Sequence, residues 1–327
     1  MKLFVYAFRE SDEREIFDEL AAKYGFTYGT CAAYPSVENA HLAQGYDAIT
    51  FTPCTFAKEQ IDAFHAVGVR YIAARSIGFN HIDIPYAHAR GMGVSHVDYP
   101  PDTVADYTVM LMLMGCRKAA YILERARLQD YSLAGKLGCD IGDLTVGIIG
   151  AGKIGATVIQ RLAAFGCRIL VYDVFENENV KQYASYASLD ELIAKSDMIS
   201  LHTLVTEENV HILNDEAFAR MKDGVMIINT ARGLLIDTPA LIRALNAGKV
   251  GFAGLDVLEN EDGLYYYNRM GDCIDNPNMA ILRAMPNVVL MPHTAFYTRR
   301  VAYAMAENVV KCVLDMQAGR ENPLINT

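Results

Sequence analysis

The sequence predicts an α/β protein built from two doubly wound parallel-sheet domains. Patterns typical of strands and helices alternate along most of its 327 residues, which indicates βαβ units. This length fits two ordinary domains better than one. Pro100-Pro101 interrupts the alternation, and a second α/β run begins at Leu144. We therefore expect two sheets of similar type, with a domain boundary near the two prolines.

Apolar strand segments and amphipathic helix segments account for the alternation in the first hundred residues. The strand segments are KLFVYAF, YDAITFT and VRYIAARS. Helical apolar spacing covers 15–23, followed by Gly25, and 57–67, followed by Gly68. After the two prolines, one long helix is predicted over 103–127.

The second run repeats the same alternation with more strands. Its strand segments are LTVGIIG, CRILVYD, MISLHT, GVMIINT, FAGLDVL and NVVLMPH. Helices are predicted over 154–165 and 299–318, and in SLDELIAKS, DEAFARM and TPALIRALNAG.

Composition and charge exclude several classes of protein. The net charge is −10, with 39 acidic against 29 basic side chains, which argues against nucleic acid or an anionic membrane as the main partner. The most apolar segment, 107–115, is far shorter than the roughly 20 residues of a membrane span, and the N-terminus lacks a signal-peptide pattern. The seven cysteines are scattered, so we expect no metal site, no disulfide scaffold and a cytoplasmic location.

A glycine-rich loop predicts a dinucleotide site. Gly150, Gly152 and Gly155 fit G-x-G-x-x-G, a weak pattern alone, but here it lies between an apolar strand and an apolar helix. Gly150 allows a tight turn, Gly152 allows the backbone to approach a pyrophosphate, and Gly155 allows close helix packing. Asp173 ends the next strand, near the distance expected for a ribose-binding acid. A carboxylate there repels a 2′-phosphate, so NAD is predicted over NADP.

Three later strand segments each end in polar residues. NTARG, DVLENE and PHTAFY follow successive strands, and ligands bind at the carboxyl ends of strands in open α/β sheets. Arg232, Glu261 and His293 each have an ordinary structural explanation on their own. Together they fit reduction of a 2-oxo acid: Arg232 for the carboxylate, His293 as proton donor and Glu261 to orient the imidazole.

With these segments in hand, the chain resembles the D-2-hydroxyacid dehydrogenases. Within them it is similar to the D-lactate dehydrogenase branch, which includes D-2-hydroxyisocaproate dehydrogenase and the pyruvate reductase of vancomycin-resistance clusters. The resemblance covers essentially the whole chain and rests on RSIGFNHID, DYPPDTVADYTVMLML, VGIIGAGKIG, INTARG, GLDVLENE and MPHTAFYT.

The resemblance implies specific roles and a discontinuous domain organisation. Residues 1–101 and 297–327 would form a flavodoxin-like substrate domain, 102–296 a Rossmann NAD domain, and the active site would lie in the cleft. The family pattern implies a homodimer formed through the NAD domain. The catalytic residues implied are Arg232, Glu261 and His293, and the substrate-binding residues are Ile77, Gly78, Tyr99, Arg232 and His293. Besides the glycine loop, the NAD contacts implied are Lys153, Ile154, Asp173, Thr203, Leu204, Asn209, Thr230, Ala231 and Asp256.

The function predicted from residues and resemblance together is NADH-dependent reduction of pyruvate to D-lactate. Larger 2-oxo acids are an alternative: Thr52 stands where the family's lactate enzymes often have Tyr and its hydroxyisocaproate enzymes Leu, and it settles neither substrate size. A second alternative is a non-catalytic NAD(H)-sensing protein, which need not keep the His–Glu–Arg triad. A third, a phosphoglycerate dehydrogenase, would require further cations near Gly78 or Tyr99. Segment 263–280 receives no chemical role, and its aromatic residues are predicted to act in a crossover or a dimer contact.

Overall fold

The chain folds into two compact units. The computed structural model describes residues 1–79, 81–261 and 263–326. One unit comprises Met1–Pro100 together with Tyr297–Thr327, and the other comprises Pro101–Phe296. The first is called the outer-segment unit below, because both ends of the chain belong to it, and the second is called the central unit.

Short strands alternate with helices in both units. In chain order, the strands are β1 Lys2–Val5, β2 Thr27–Thr30, β3 Ala48–Phe51, β4 Tyr71–Ala74, β5 Gly93–Ser95, β6 Thr145–Ile149, β7 Arg168–Tyr172, β8 Ser185–Tyr186, β9 Met198–Leu201, β10 Val225–Asn229, β11 Val250–Leu255, β12 Val288–Leu290 and β13 Ile325–Asn326. The α-helices are α1 Glu10–Tyr24, α2 Lys58–Ala66, α3 Ile84–Ala89, α4 Asp102–Cys116, α5 Ala119–Arg127, α6 Lys153–Ala163, α7 Leu189–Lys195, α8 Asp215–Arg220, α9 Thr238–Asn246, α10 Pro277–Ala284 and α11 Arg299–Ala318.

The central unit has the strand order of a doubly wound dinucleotide-binding fold. Its sheet runs β12-β11-β10-β9-β6-β7-β8, and every pairing in it is parallel. The order reverses between β6 and β9, and ligands bind at the carboxyl ends of the strands at such a switch point. Residues that follow β6 and β9 are therefore placed at the expected cofactor crevice.

The outer-segment unit contains a second doubly wound sheet. Its order is β13-β5-β4-β3-β1-β2, which contains the flavodoxin-like order, and only β13 runs antiparallel, against β5, within the described residues. The predicted fold class, two parallel-sheet α/β domains, is thus confirmed.

Hydrophobic burial explains why the apolar segments become central strands. Every residue of β9 and β10 is buried, as expected where helices cover both faces of a parallel sheet. Capping residues then define where helices begin and end. Asp237 caps α9 by accepting the Ala240 N–H at 3.1 Å, and Gly25 ends α1 in the left-handed conformation.

The single helix predicted over 103–127 is wrong, because the structure contains two helices there. α4 ends at Cys116, Lys118 adopts a left-handed conformation with φ of 49°, and α5 begins at Ala119. The Cys116 carbonyl accepts the Cys139 N–H at 2.9 Å. The Cys116 carbonyl is therefore bonded to a residue 23 positions further along the chain instead of to the next turn of the helix, and α4 ends there.

The structure also shows the state of the cysteines and the length of the apolar helices. All seven cysteines carry free thiols. Within ranges 1–79, 81–261 and 263–326, no helix combines the length and apolar character that crossing a bilayer requires.

Candidate functional site

The glycine loop joins β6 to α6 and is shaped by close backbone contacts. Gly150 has φ of 99°, and a Cβ there would lie 2.7 Å from the His202 carbonyl carbon. A Cβ on Gly155 would lie only 1.9 Å from the Gly150 oxygen. Gly152, in contrast, has open space where a side chain would be. Two glycines therefore permit the packing, and the third leaves one side of the loop accessible to a ligand.

The N-terminus of α6 supplies the groups that an anionic cofactor needs. Lys153 and Ile154 begin this helix directly after Gly152. The first N–H groups of a helix have no intrahelical partner, and together with the helix dipole they favour a phosphate. The loop and helix therefore fit the pyrophosphate of a dinucleotide.

Two side chains hold the glycine loop from the neighbouring strand. Asp173 follows β7, and its Oδ2 accepts the Ala151 N–H at 2.5 Å. Asn177 donates from Nδ2 to the Ala151 oxygen at 3.0 Å. Asp173 was predicted as a ribose ligand, and the structure adds a loop contact. Asn177 was not predicted, because a polar residue in a loop gives no sequence pattern for such a contact.

The loop after β9 contains three predicted cofactor contacts. Thr203 and Leu204 come directly after the switch-point strand. Asn209 donates to the Leu204 oxygen at 2.7 Å and accepts the Thr206 N–H at 2.7 Å. The Asn209 side chain therefore fixes the shape of this loop.

The segment after β10 places Arg232. Asn229, at the end of β10, accepts the Ala231 N–H at 3.0 Å and donates to the Arg232 oxygen at 2.8 Å. The Arg232 guanidinium donates to the Ala231 oxygen at 2.7 Å and is half-buried. Thr230 is buried, and its hydroxyl lies 2.8 Å from that of Thr108 on α4. Through these two hydrogen bonds, the Asn229 side chain stabilises the turn that carries Arg232, the predicted carboxylate-binding residue.

The predicted acid–histidine pair is a direct contact. His293 Nδ1 lies 2.5 Å from Glu261 Oε1, and Glu261 Oε2 accepts the Leu258 N–H at 2.8 Å. Because a carboxylate only accepts, Nδ1 must carry the proton, and Nε2 is the ring nitrogen that remains for proton exchange. His293 has φ of 55°, an unusual backbone conformation that the surrounding contacts must hold in place.

Asp256 fixes the turn around His293. It is buried at the end of β11, and its two carboxylate oxygens accept the Thr294 and Ala295 N–H groups at 2.9 Å each. Its backbone oxygen accepts the His293 N–H at 2.8 Å. Burial raises the pKa of Asp256, while these backbone N–H groups and the charge of His293 oppose the rise.

The turn that carries Arg232 contacts the loop that leads to Glu261. β10 and β12, which precede Arg232 and His293, both pair with β11. A Cβ on Gly233 would lie 2.2 Å from the Leu258 carbonyl carbon. The arginine turn therefore packs directly against the loop that leads to Glu261, although no direct contact joins Arg232 to His293 or Glu261 within the described residues.

Tyr266 contacts the histidine, although the sequence analysis gave segment 263–280 no chemical role. Its hydroxyl donates to the His293 oxygen at 3.1 Å, and the two ring centroids are 5.9 Å apart. The Phe296 ring lies 6.4 Å from the His293 ring and 6.3 Å from that of Tyr266. The run Tyr265 to Tyr267 was visible in the sequence, but its contact with His293 depends on tertiary packing.

The predicted substrate residues of the outer-segment unit follow β4 and β5. Ile77 and Gly78 are half-buried, and Ser76 donates its hydroxyl to the Gly78 oxygen at 2.6 Å. Tyr99 is half-buried and Thr52 is buried. Asn80, inside the RSIGFNHID segment, lies outside the described residues.

Across the part of the chain that the structure describes, no group of three or more His, Cys, Asp or Glu side chains is placed to hold a metal ion. The polar residues of the central unit instead form a phosphate cradle at one strand end and an acid–histidine pair near another. This combination is typical of dinucleotide-dependent oxidoreductases.

Comparison with known proteins identifies the family. Residues 109–295 match the NAD-binding domain of the D-isomer specific 2-hydroxyacid dehydrogenases. The chain belongs to this family, and it is an oxidoreductase whose cofactor is NAD, as the sequence predicts.

Known relatives and solved structures are similar to this protein over nearly the whole chain. An aromatic 2-oxoacid reductase of Clostridium sporogenes is 40% identical over 310 residues, 94% of this chain and 93% of that protein. The D-lactate dehydrogenase of Escherichia coli is 33% identical, and 99% of both chains is covered. The structure of a D-2-hydroxyisocaproate dehydrogenase matches with a TM-score of 0.90 and 30% identity, covering both chains completely.

Proposed function

We propose that the protein reduces a 2-oxo acid to the D-2-hydroxy acid, with His293 as proton donor. The observation that supports this most is the 2.5 Å contact between His293 Nδ1 and Glu261 Oε1. It keeps one proton on Nδ1, so that in the protonated imidazolium the second proton, on Nε2, is the one passed to the carbonyl oxygen of the substrate. A non-catalytic NAD(H) sensor would not need this pair.

The remaining groups are proposed to bind the substrate and the cofactor. Arg232 binds the substrate carboxylate, for which a guanidinium is geometrically suited. Ile77 and Gly78 contribute backbone N–H groups to the same carboxylate, and Tyr99 contributes a further contact. When bound, NADH supplies the hydride for the carbonyl carbon.

NAD is proposed to bind along the strand ends of the central unit. The glycine loop and the start of α6 hold the pyrophosphate, and Asp173 accepts from the ribose hydroxyls. The other proposed contacts are Thr203, Leu204, Asn209, Thr230, Ala231 and Asp256. These residues follow β9, β10 and β11, whose carboxyl ends lie at the same edge of the sheet as that of β6.

Two substrate classes are proposed: pyruvate, which would give D-lactate, and a larger 2-oxo acid. The 40% identity to an aromatic 2-oxoacid reductase favours the larger substrate, whereas the 33% identity to a D-lactate dehydrogenase supports pyruvate. Both can be tested by following NADH oxidation with pyruvate, 2-oxoisocaproate, phenylpyruvate and 2-oxoglutarate, and by resolving the product enantiomers. Loss of NADH with one of these acids and a D product support the proposal. NADH binding without turnover on any of them would instead support the sensor hypothesis.

A homodimer formed through the central unit is also proposed. Leu133 and Leu137, between α5 and β6, are 88% and 86% exposed, and exposed apolar patches of this kind favour association. Light scattering on the purified protein should give twice the 36.1 kDa chain mass, and a monomer at all concentrations would contradict the proposal.

Replacing Asp173 should change cofactor preference. In Asp173→Asn, the side-chain oxygen can still accept the Ala151 N–H, but the charge that repels a 2′-phosphate is gone. We expect the ratio of kcat/KM for NADH over NADPH to fall by roughly 10- to 100-fold, as the loss of charged hydrogen bonds predicts. Asp173→Ala should in addition weaken NADH binding, because the loop contact is lost. An unchanged cofactor ratio in both variants would show that Asp173 does not bind the ribose.

A further inference from the structure

The segment after β11 contacts the turn that carries His293. The Glu261 backbone oxygen accepts the Leu264 N–H at 3.0 Å and the Tyr265 N–H at 3.2 Å, so these two residues lie against Glu261. Tyr265 is 6% exposed and anchors the segment. The next residue, Tyr266, lies beside His293, with 5.9 Å between the two ring centroids and 3.1 Å between its hydroxyl and the His293 oxygen.

Both residues of this contact have an unusual backbone conformation. His293 has φ of 55° and Tyr266 has φ of 70°, in the left-handed region that large side chains rarely occupy. Such a conformation persists only where surrounding contacts hold it, and residues of this kind cluster at functional sites. The hydrogen bond from Tyr266 to His293 joins the two left-handed residues directly, so it helps to hold both.

Three hydrogen bonds hold the polar groups of His293. Its N–H donates to the Asp256 backbone oxygen at 2.8 Å, its Nδ1 lies 2.5 Å from Glu261 Oε1, and its backbone oxygen accepts the Tyr266 hydroxyl. None of these three bonds uses Nε2, the nitrogen from which the proton is proposed to leave. The Tyr266 ring adds a contact with the imidazole itself, which the two backbone bonds do not provide.

We propose that Tyr266 is a positioning residue for proton transfer, which holds the His293 backbone through its hydroxyl and the imidazole through its ring. This inference rests on the proposed function of His293. It assigns no contact with substrate or cofactor to Tyr266, which acts through His293. It gives one residue of segment 263–280 a role that the sequence does not indicate.

The ring contact has the geometry of an interacting aromatic pair. Such pairs have centroids roughly 4.5–7 Å apart and are rarely stacked face to face, and the Tyr266 and His293 rings meet at 41°. The Phe296 ring lies near both of them. Because Tyr266 is 49% exposed, its replacement removes these contacts without opening a cavity in the core. A change in activity therefore reflects the position of His293.

Two substitutions separate the hydroxyl of Tyr266 from its ring. Tyr266→Phe removes the hydrogen bond and keeps the ring, whereas Tyr266→Leu removes both. We expect kcat for 2-oxo acid reduction to fall roughly 2- to 10-fold in Tyr266→Phe, the scale set by one hydrogen bond, and roughly 10- to 100-fold in Tyr266→Leu. NADH binding, followed by fluorescence, should be unchanged in both variants.

Tyr183 provides the matched control. It is 41% exposed and precedes β8, at the opposite edge of the same sheet from β12. Tyr183→Phe and Tyr183→Leu should therefore retain full activity. Wild-type kcat in both Tyr266 variants would overturn the proposal.

A double-mutant cycle shows whether the effect of Tyr266 passes through His293. His293→Asn keeps the backbone oxygen and removes the imidazole. If Tyr266 acts by positioning the imidazole, Tyr266→Leu should lower kcat little further in the His293→Asn background, because effects that share one group are not additive. A full, additive loss in that background would show that Tyr266 acts by another route, such as the stability of its segment, and would overturn the proposal.

NMR tests the position of the imidazole without turnover. In protein with ¹⁵N-labelled histidine, the ring N–H resonance of His293 Nδ1 is assigned by its loss in His293→Asn. The bond to Glu261 should protect this proton from exchange with solvent in the wild type. In Tyr266→Leu the resonance should broaden or disappear, because the imidazole is no longer held. An unchanged resonance would overturn the positioning role.

These readouts keep the inference separate from the proposed function. If the wild-type protein turns over no 2-oxo acid, the proposed function fails, and the positioning role for the reaction fails with it. The Nδ1 resonance in that case still shows whether Tyr266 holds the imidazole. If Tyr266→Leu fails to fold, Tyr266→Phe is used for the same measurements, and its smaller loss of kcat should again disappear in the His293→Asn background.

Discussion

His293→Asn should lower kcat for 2-oxo acid reduction by roughly 10²- to 10⁴-fold, the range expected when a general acid is lost. Asparagine is the informative substitution because His293 has φ of 55°, and asparagine adopts that conformation more readily than alanine. A loss of activity in this variant therefore reflects the missing proton donor rather than a changed turn.

The measurement is the initial rate of NADH oxidation with saturating 2-oxo acid, with NADH binding followed separately by fluorescence. His65→Asn is the matched control, because His65 is exposed on α2, and it should retain full activity. His293→Asn should still bind NADH. Turnover equal to wild type in His293→Asn would exclude His293 as the proton donor.

Glu261→Gln separates orientation from proton donation. Glutamine can still accept from His293 Nδ1 through its amide oxygen, but it offers no negative charge to the imidazolium. An intermediate rate, between wild type and His293→Asn, would therefore support the role of Glu261 as the group that stabilises the charged histidine.

The sequence pattern predicts those strands, helices and loops for which local residue propensities and tertiary packing favour the same structure. The strand before Gly150 is apolar along its length and the loop glycines are spaced for one turn, so the cofactor loop could be predicted from the chain alone. α11 was also predicted, because its apolar spacing continues until Gly319 ends it in the left-handed conformation. Two-residue strands such as β8 were missed, because so few residues show no periodicity.

Contacts between distant segments account for most of what the sequence did not reveal. The end of α4 depends on the hydrogen bond from Cys139 to the Cys116 oxygen, which no local preference indicates. The contacts of Tyr266 with His293 and of Tyr107 with Thr294 arise in the same way. The oxidoreductase class was predictable from the sequence, and the roles of Arg232, Glu261 and His293 stay predictions, whereas the contacts that position these side chains required the structure.

Arg232→Met should lower kcat/KM for the 2-oxo acid by roughly 10²- to 10³-fold, because truncation of one member of a hydrogen-bonded charge pair costs about 2–5 kcal/mol. Arg232→Lys keeps the charge but loses the planar, two-pronged donor geometry. We expect it to recover only part of the loss. Arg283→Met is the matched control, because Arg283 is exposed on α10, and it should behave as wild type.

The test of Arg232 is specific because its effects on substrate and cofactor should differ. Arg232 is held at the end of β10 by Asn229, apart from the glycine loop, so NADH affinity should change little while KM for the 2-oxo acid rises. A 2-oxo compound without a carboxylate, such as the corresponding methyl ester, should be reduced poorly by the wild type and no worse by Arg232→Met. Equal losses on acid and ester would show that Arg232 stabilises the turn rather than binding the carboxylate. A loss confined to the acid would show that the substrate carboxylate binds the Arg232 guanidinium.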